Sequence, residues 1–280
     1  MNYILFDDPQ RNELLPFTFT RPIAEIRVGI LTIREKWEHY LQCKTSSLTE
    51  DYLSVKYPLT KGNLNVLING SVCPNPDLVK KITSLKPNHA LLCKESLIAV
   101  CLNEKDIANL DESENITDIE INDAYLKLNN LWDIFSENGQ AISEDFTLLT
   151  NGKTSAPLSK TNTLVNPELI FAEKGAKVEC AVLNASQGPI FIGKDAEIME
   201  GALIRGPFAL GEHSVVKMGA KIYGPTTIGP YSNIGGEVNN SVVFGYSNKA
   251  HDGFLGNSVI GEWCNIGADS NNSNLKNNYL

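Results

Sequence analysis

"QGPIFIGK" (187–194) is followed eighteen residues later by "RGPFALGE" (205–212), and eighteen further on by "YGPTTIGP" (223–230). Between these corners the aliphatic residues keep a step of six: Ile192, Ile198, Ile204, Leu210, Val216, Ile222, Ile228 and Ile234. Two places before each stands a mostly small residue: Ile190, Ala196, Ala202, Phe208, Ser214, Ala220, Thr226 and Ser232. Residues two apart in a strand share a side. Each six-residue unit therefore sends one small and one large side chain inward. Such short units cannot bury a face alone, but a stack of them buries a continuous one. Three units make eighteen, which predicts a three-sided coil with one distinctive Gly-Pro edge.

After Ile234 the spacing slips by two. Val242, Phe254, Ile260 and Ile266 form a second series, interrupted at Asn248. The slip predicts a two-residue insertion near "IGGEVNN" (234–240), bulging from a corner. In this register Asn248, Asp252, Phe254 and Ser258 face inward, and Lys249, His251 and Asn265 face outward.

Composition narrows the function. Of 280 residues, 42% are hydrophobic and 20% charged, as in ordinary globular domains. No apolar run approaches the roughly 18 residues of a membrane span. The start, "MNYILFDDPQRNE", has no basic segment of the kind that opens a signal peptide, so a cytoplasmic protein is expected. The net charge of −9 argues against a nucleic-acid partner. Six scattered cysteines without a C-x-x-C pair and four isolated histidines predict reduced thiols and no metal site. His39, His89 and His213 have no motif around them.

Residues 1–150 lack the sixfold step. "YILF" (3–6) and "NVLING" (65–70) read as buried strands, "HALLCKESLIAVCL" (89–102) as two strands about a polar turn. "ILTIREKWEHYLQ" (30–42) has helical spacing, and "NLWDIF" (130–135) reads as part of a helix. The alternation predicts an α/β domain over 1–155. The polar "NGKTSAPLSKTNT" (151–163) reads as a linker to a repeat domain over 165–280.

The repeat resembles the hexapeptide-repeat family of left-handed parallel β-helices, which implies that handedness, a homotrimer and an acyl transfer site between subunits. "LLPFTFTRPIAEIRVG" (14–29) is similar to the opening of sugar-phosphate nucleotidyltransferases, with Arg11 for the family's loop Arg and Arg21-Pro22 for its Lys-Pro. "LINGSVCPNPDLVKKI" (67–82) resembles the later Gly-Asp-x-Pro strand end. Arg11, Arg21 and Asn69 are the nucleotide-binding residues this implies, with magnesium as a further expectation. Two departures stand out. "DDPQRN" (7–12) replaces the Gly-rich loop, and Ser71 stands where the family has its magnesium-binding Asp.

Together the halves resemble GlmU-type bifunctional UDP-N-acetylglucosamine pyrophosphorylase/glucosamine-1-phosphate N-acetyltransferases. "SNKAHDGFLGNSVIGEWCNIGA" (247–268) matches their Ser-Lys-Ala-x-His…Asn-Ile-Gly-Ala signature, and "VVKMGAKI" (215–222) a Leu-Arg-Pro-Gly-Ala stretch. The resemblance implies His251 as catalytic base, with Lys217, Lys249, Asn265 and Asn274 on the substrate. It implies acetyl-CoA and an amino-sugar phosphate as substrates, and a nucleoside triphosphate for an active first domain. Three functions follow: an N-acetyltransferase with a degenerate first domain, a sugar-1-phosphate nucleotidyltransferase, and a non-catalytic trimeric scaffold or sugar-nucleotide sensor. The ending "NSNLKNNYL" (272–280) falls in mid-pattern, and the resemblance implies later coils that help bind CoA, so either the sequence is a fragment of a longer protein or its acetyl-CoA site is incomplete.

Overall fold

A computed structural model describes residues 1–94, 96–107, 116–122 and 124–272. The chain forms two compact units, one of residues 1–26 and 31–131, the other of 27–30 and 132–280.

The first unit is α/β. Its strands are β1 (Asn2–Phe6), β2 (Ser46–Leu48), β3 (Leu64–Asn69), β4 (His89–Cys93), β5 (Ser96–Asn103) and β6 (Thr117–Glu120), in the sheet order β2-β1-β3-β5-β4-β6. β2 and β3 both run parallel to β1, one on each side. β3 and β4 pair antiparallel with β5, so the 89–102 stretch is the expected hairpin. Helix α1 (Ile33–Leu41) begins later than its apolar spacing suggests, because Thr32 and Glu35 form a capping box there. It buries Trp37, whose Nε1 donates to the Val72 carbonyl at 2.8 Å. Helices α2 (Asp51–Ser54) and α3 (Pro76–Thr83) follow β2 and β3.

The second unit contains α4 (Asp133–Ser136), α5 (Asn138–Thr150) and a parallel β-solenoid of about six turns. Three sheets run along it. The first stacks 163–165, 182–184, 203–205, 221–223, 237–239 and 254–256. The second stacks 170–172, 190–192, 208–210, 226–228, 242–245 and 259–262. The third stacks 177–178, 197–198, 215–216, 233–234 and 248–249.

The small and large residues of the repeat from Ile190 to Ile234 all point inward and are at most 2% exposed. The inward serines are part of the backbone accounting. Ser214 Oγ accepts from Ser232 N, Ser232 Oγ from Ser247 N, and Ser247 Oγ from Cys264 N, at 2.9–3.1 Å. Each hydroxyl satisfies an amide of the next coil that would otherwise be buried without a partner.

The Ile-Gly and Leu-Gly steps have a steric cause. A Cβ on Gly211 would lie 2.6 Å from Pro230 N, and one on Gly229 only 1.9 Å from the Phe244 carbonyl oxygen. Successive coils touch backbone to backbone at this edge. The following corner carries a column of rings, His213, Tyr231, Tyr246 and Trp263, stacked at centroid distances of 4.9, 5.3 and 4.8 Å.

The outer face of the second sheet is covered. Phe171, Phe191, Ala209, Thr227 and Val242 are all buried on it. Helix α5 packs against strand 226–228, and residues 27–30 lie in the same layer. Gly29 N donates to Asn138 Oδ1 and Ile30 N to Asp145 Oδ2, each at 2.8 Å. Thr227 Oγ1 bonds the Gly29 carbonyl at 2.9 Å, and Arg27 Nε the Phe244 carbonyl at 3.0 Å. Residues 27–30 have no partner in the sixfold pattern, so the spacing gave no sign of this layer.

The coil contracts after Ile234, where an insertion was expected. Ile222 pairs with Val238, and Ile228 with Val243, so the coil drops from eighteen residues to sixteen and then fifteen. The corner "IGGEV" (234–238) is therefore tight, and a Cβ on Gly235 would sit 2.1 Å from the Ala250 carbonyl oxygen. The inward set changes with it. Lys249 and Leu255 are buried, while Asn248 and Phe254 are only half-buried. Gly235→Ala is expected to destabilise the protein by roughly 2–3 kcal/mol through backbone overlap. Urea unfolding checks this, and a loss below about 0.5 kcal/mol would show that the corner has room.

Candidate functional sites

Because β2 and β3 both run parallel to β1, the carboxyl ends of the three strands lie along one edge of the sheet. A crevice opens at the carboxyl ends of such strands, where open α/β sheets bind ligands. Here it is a cleft of about 440 Å³ lined by Asp7, Asp8, Arg11, Thr49, Glu50 and Asp51, among others.

The loop after β1 is closed on itself. Asp8 caps the 3-10 helix Pro9–Leu14 by accepting from Gln10 N at 3.1 Å, and its carbonyl accepts from Arg11 N. Pro9 has no N–H to offer. A Gly-rich loop would turn several amides toward phosphate; this one uses them internally. Asp7 Oδ1 accepts from Ile23 N at 2.8 Å, and its Oδ2 lies 3.5 Å from Arg11 Nε. Burial pushes the Asp7 carboxyl above the usual carboxylate range, against the opposing pull of Thr49, Ile23 and Arg11.

Of the three residues expected to bind nucleotide, Arg11 and Asn69 bond within the domain and Arg21 is buried. Arg11 is buried, donates to the Thr18 carbonyl, and donates to Tyr52 Oη at 2.7 Å. Arg21 is 8% exposed. Asn69 uses its whole amide: Nδ2 donates to Asp8 Oδ2 and the Leu97 carbonyl, and Oδ1 accepts from Ser71 N and Oγ. Lys127, which sequence reading missed, comes within 3.5 Å of Asp8 Oδ2 and donates to Ser96 Oγ. It enters this group through an isolated bridge between Val72 and Lys127, a pairing across the fold with no local signal.

The position expected to carry the magnesium-binding carboxylate offers no ligand. Ser71 is fully buried with its hydroxyl on Asn69, and both carboxylates at the loop already accept hydrogen bonds. Among the described residues no group of three or more His, Cys, Asp or Glu is placed to hold a metal.

On the solenoid, His251 and Asn265 are exposed and Lys217 is half-buried. Lys217 N bonds the Ile234 carbonyl, and Gly235 N the Lys249 carbonyl. Lys217, Gly235 and Ala250 therefore occupy the same step of three successive coils. His251 follows Ala250 at that corner, roughly 10 Å along the axis from Lys217 at the usual strand spacing. Asn265 pairs with Asn248 in the coil beyond, accepting at Oδ1 from Asn248 Nδ2 at 2.9 Å. Lys249, expected outward on the substrate, is instead 5% exposed inside the coil, because the contracted corner shifts its register. Asn274 lies outside the described residues.

The fold and the cleft define the class: a nucleotidyltransferase-like α/β domain followed by a parallel β-solenoid. The sugar nucleotidyl transferase family model matches residues 3–154, and the chain belongs to that family. No curated protein matches the chain. The two parts fit a GlmU-like architecture, and the family places the protein in sugar-nucleotide metabolism as a transferase. No helix among the described residues is long and apolar enough to cross a membrane.

The raised Asp7 pKa has a definite sign in stability. The folded state holds this proton more tightly than the unfolded chain, so the contribution is fully present below the ordinary value of 3.8 and is lost as pH rises through the folded pKa. Asp7→Asn removes that dependence. Wild-type stability measured against Asp7→Asn is expected to fall as pH rises from about 4, and denaturant titrations across pH check it.

Proposed function

We propose that the solenoid transfers an acetyl group from acetyl-CoA to the amine of an amino-sugar phosphate such as glucosamine 1-phosphate, with His251 as general base. The observation that carries this reading is His251 itself. It stands exposed at a solenoid corner, with half-buried Lys217 two coils away on one side and exposed Asn265 in the next coil on the other. The neutral amine attacks the thioester carbonyl. A C–N bond forms, the C–S bond breaks, and the amine proton passes to His251 and on to the CoA thiolate. Imidazole suits this exchange because it accepts and releases protons near neutral pH. Lys217 holds the phosphate and Asn265 orients the sugar, with Asn274 as a further contact. In this reading the solenoid is a left-handed homotrimer acting in the cytoplasm, with each site between neighbours.

In this scheme the first domain makes no sugar nucleotide. Its closed loop and acidic lining, Asp7, Asp8, Glu50 and Asp51, suit a triphosphate poorly. The family match favours a second reading, nucleotidyl transfer onto a sugar 1-phosphate.

Thiol release from acetyl-CoA and glucosamine 1-phosphate is expected for the wild type, and His251→Ala should lower kcat at least ~100-fold. Undiminished release from His251→Ala would remove the histidine from the reaction. For the second reading, pyrophosphate release from a nucleoside triphosphate and a sugar 1-phosphate is expected to be absent, with or without added magnesium. Turnover there would make the first domain the active one.

A further inference from the structure

Lys249 occupies a place where the fold offers it no solvent. The inward column of the third sheet runs Val178, Ile198, Val216, Ile234, Lys249, in register from coil to coil. Four aliphatic residues are followed by one ammonium, 5% exposed. Its Nζ donates to the Gly235 carbonyl at 3.0 Å and to the His251 carbonyl at 2.9 Å. Burial lowers its pKa, with Asp252 pulling the other way. A buried ammonium is costly unless it is well paired, and an aliphatic side chain would pack in this column without that penalty. Stability alone does not explain a lysine here.

What the lysine does is join two coils at one corner. Gly235 belongs to the contracted turn, and His251 to the turn stacked on it. The neighbouring carbonyls are already engaged along the stack: Asp252 O accepts from Asp269 N and Gly253 O from Glu237 N. The His251 carbonyl is held from inside, by a side chain, while the imidazole projects from the outside of the same residue.

We propose that Lys249 is a positioning residue whose buried ammonium clamps the solenoid corner that presents His251. It does not touch substrate. It fixes the peptide that carries the base, so that the imidazole meets the acceptor amine in one orientation. This rests on His251 being the acetyl-transfer base. A group held slightly out of place loses rate rather than affinity.

The test compares wild type, Lys249→Met and Lys249→Arg as full chains, in thiol release and in amide hydrogen exchange over residues 250–253. Methionine matches the aliphatic column, so Lys249→Met should fold. Its kcat is expected to fall tenfold to a hundredfold, on the order of what misplacement of a reacting group does. KM for glucosamine 1-phosphate should change less than about twofold, since no substrate contact is lost. Exchange at the corner should quicken about tenfold, as it does where a local opening loses a restraint. Lys249→Arg, which keeps the donors, should restore much of both. Wild-type kcat in Lys249→Met overturns the positioning role, as does a rise in KM with kcat unchanged. If no protein releases thiol, the acetyl-transfer reading has failed by itself. Exchange then decides the clamp, and unchanged rates in Lys249→Met overturn it.

Discussion

The constraint on which the solenoid depends is that each coil rests directly on the backbone of the next. At the edge marked by Gly211 and Gly229 there is no room for even a methyl group between successive turns. Everything else in the repeat follows from that contact. Small and large side chains alternate inward because they must fill the narrow interior that closely stacked coils leave. Serines appear inside because a corner amide of the next coil needs an acceptor, and a hydroxyl in the column supplies one.

The same constraint explains why the last described coils differ. Once the corner at 234–238 loses two residues, the stacked turns must still meet, so the following strands shift register. The shift carries Asn248 to the outside and Lys249 to the inside. A polar residue brought into a solenoid core must find partners, and Lys249 finds the carbonyls of two adjacent corners. The contraction and the buried lysine are thus one event, and His251 is the residue they leave facing outward.

The first domain shows a family fold with its phosphate-handling loop replaced. Its sheet keeps the parallel arrangement about β1 that creates a cleft. The amides that would face a ligand are instead closed into a 3-10 turn by Asp8, and Asn69 ties that turn to Ser71 and β5. The architecture of sugar-nucleotide metabolism is present, with the loop amides turned inward.

From the sequence alone, the sixfold spacing determined the solenoid, its three sides and the inward residues from Ile190 to Ile234, because a stacked period is written locally in every coil. The strands at 3–6 and 64–69 and the hairpin at 89–103 were legible for the same reason, as short apolar runs between turn residues. Only the tertiary structure decided what depends on a neighbour. A slip of spacing reads alike whether residues are gained or lost, and it took the stacked coil to show a contraction and to place Lys249. The covering of the second sheet joins residues 27–30 to Asn138, Asp145 and Thr227, and such pairings leave no periodic trace. Arg11 and Asn69 likewise stand out by their motifs, while their bonds to Tyr52, Asp8 and Leu97 join residues that only folding brings together.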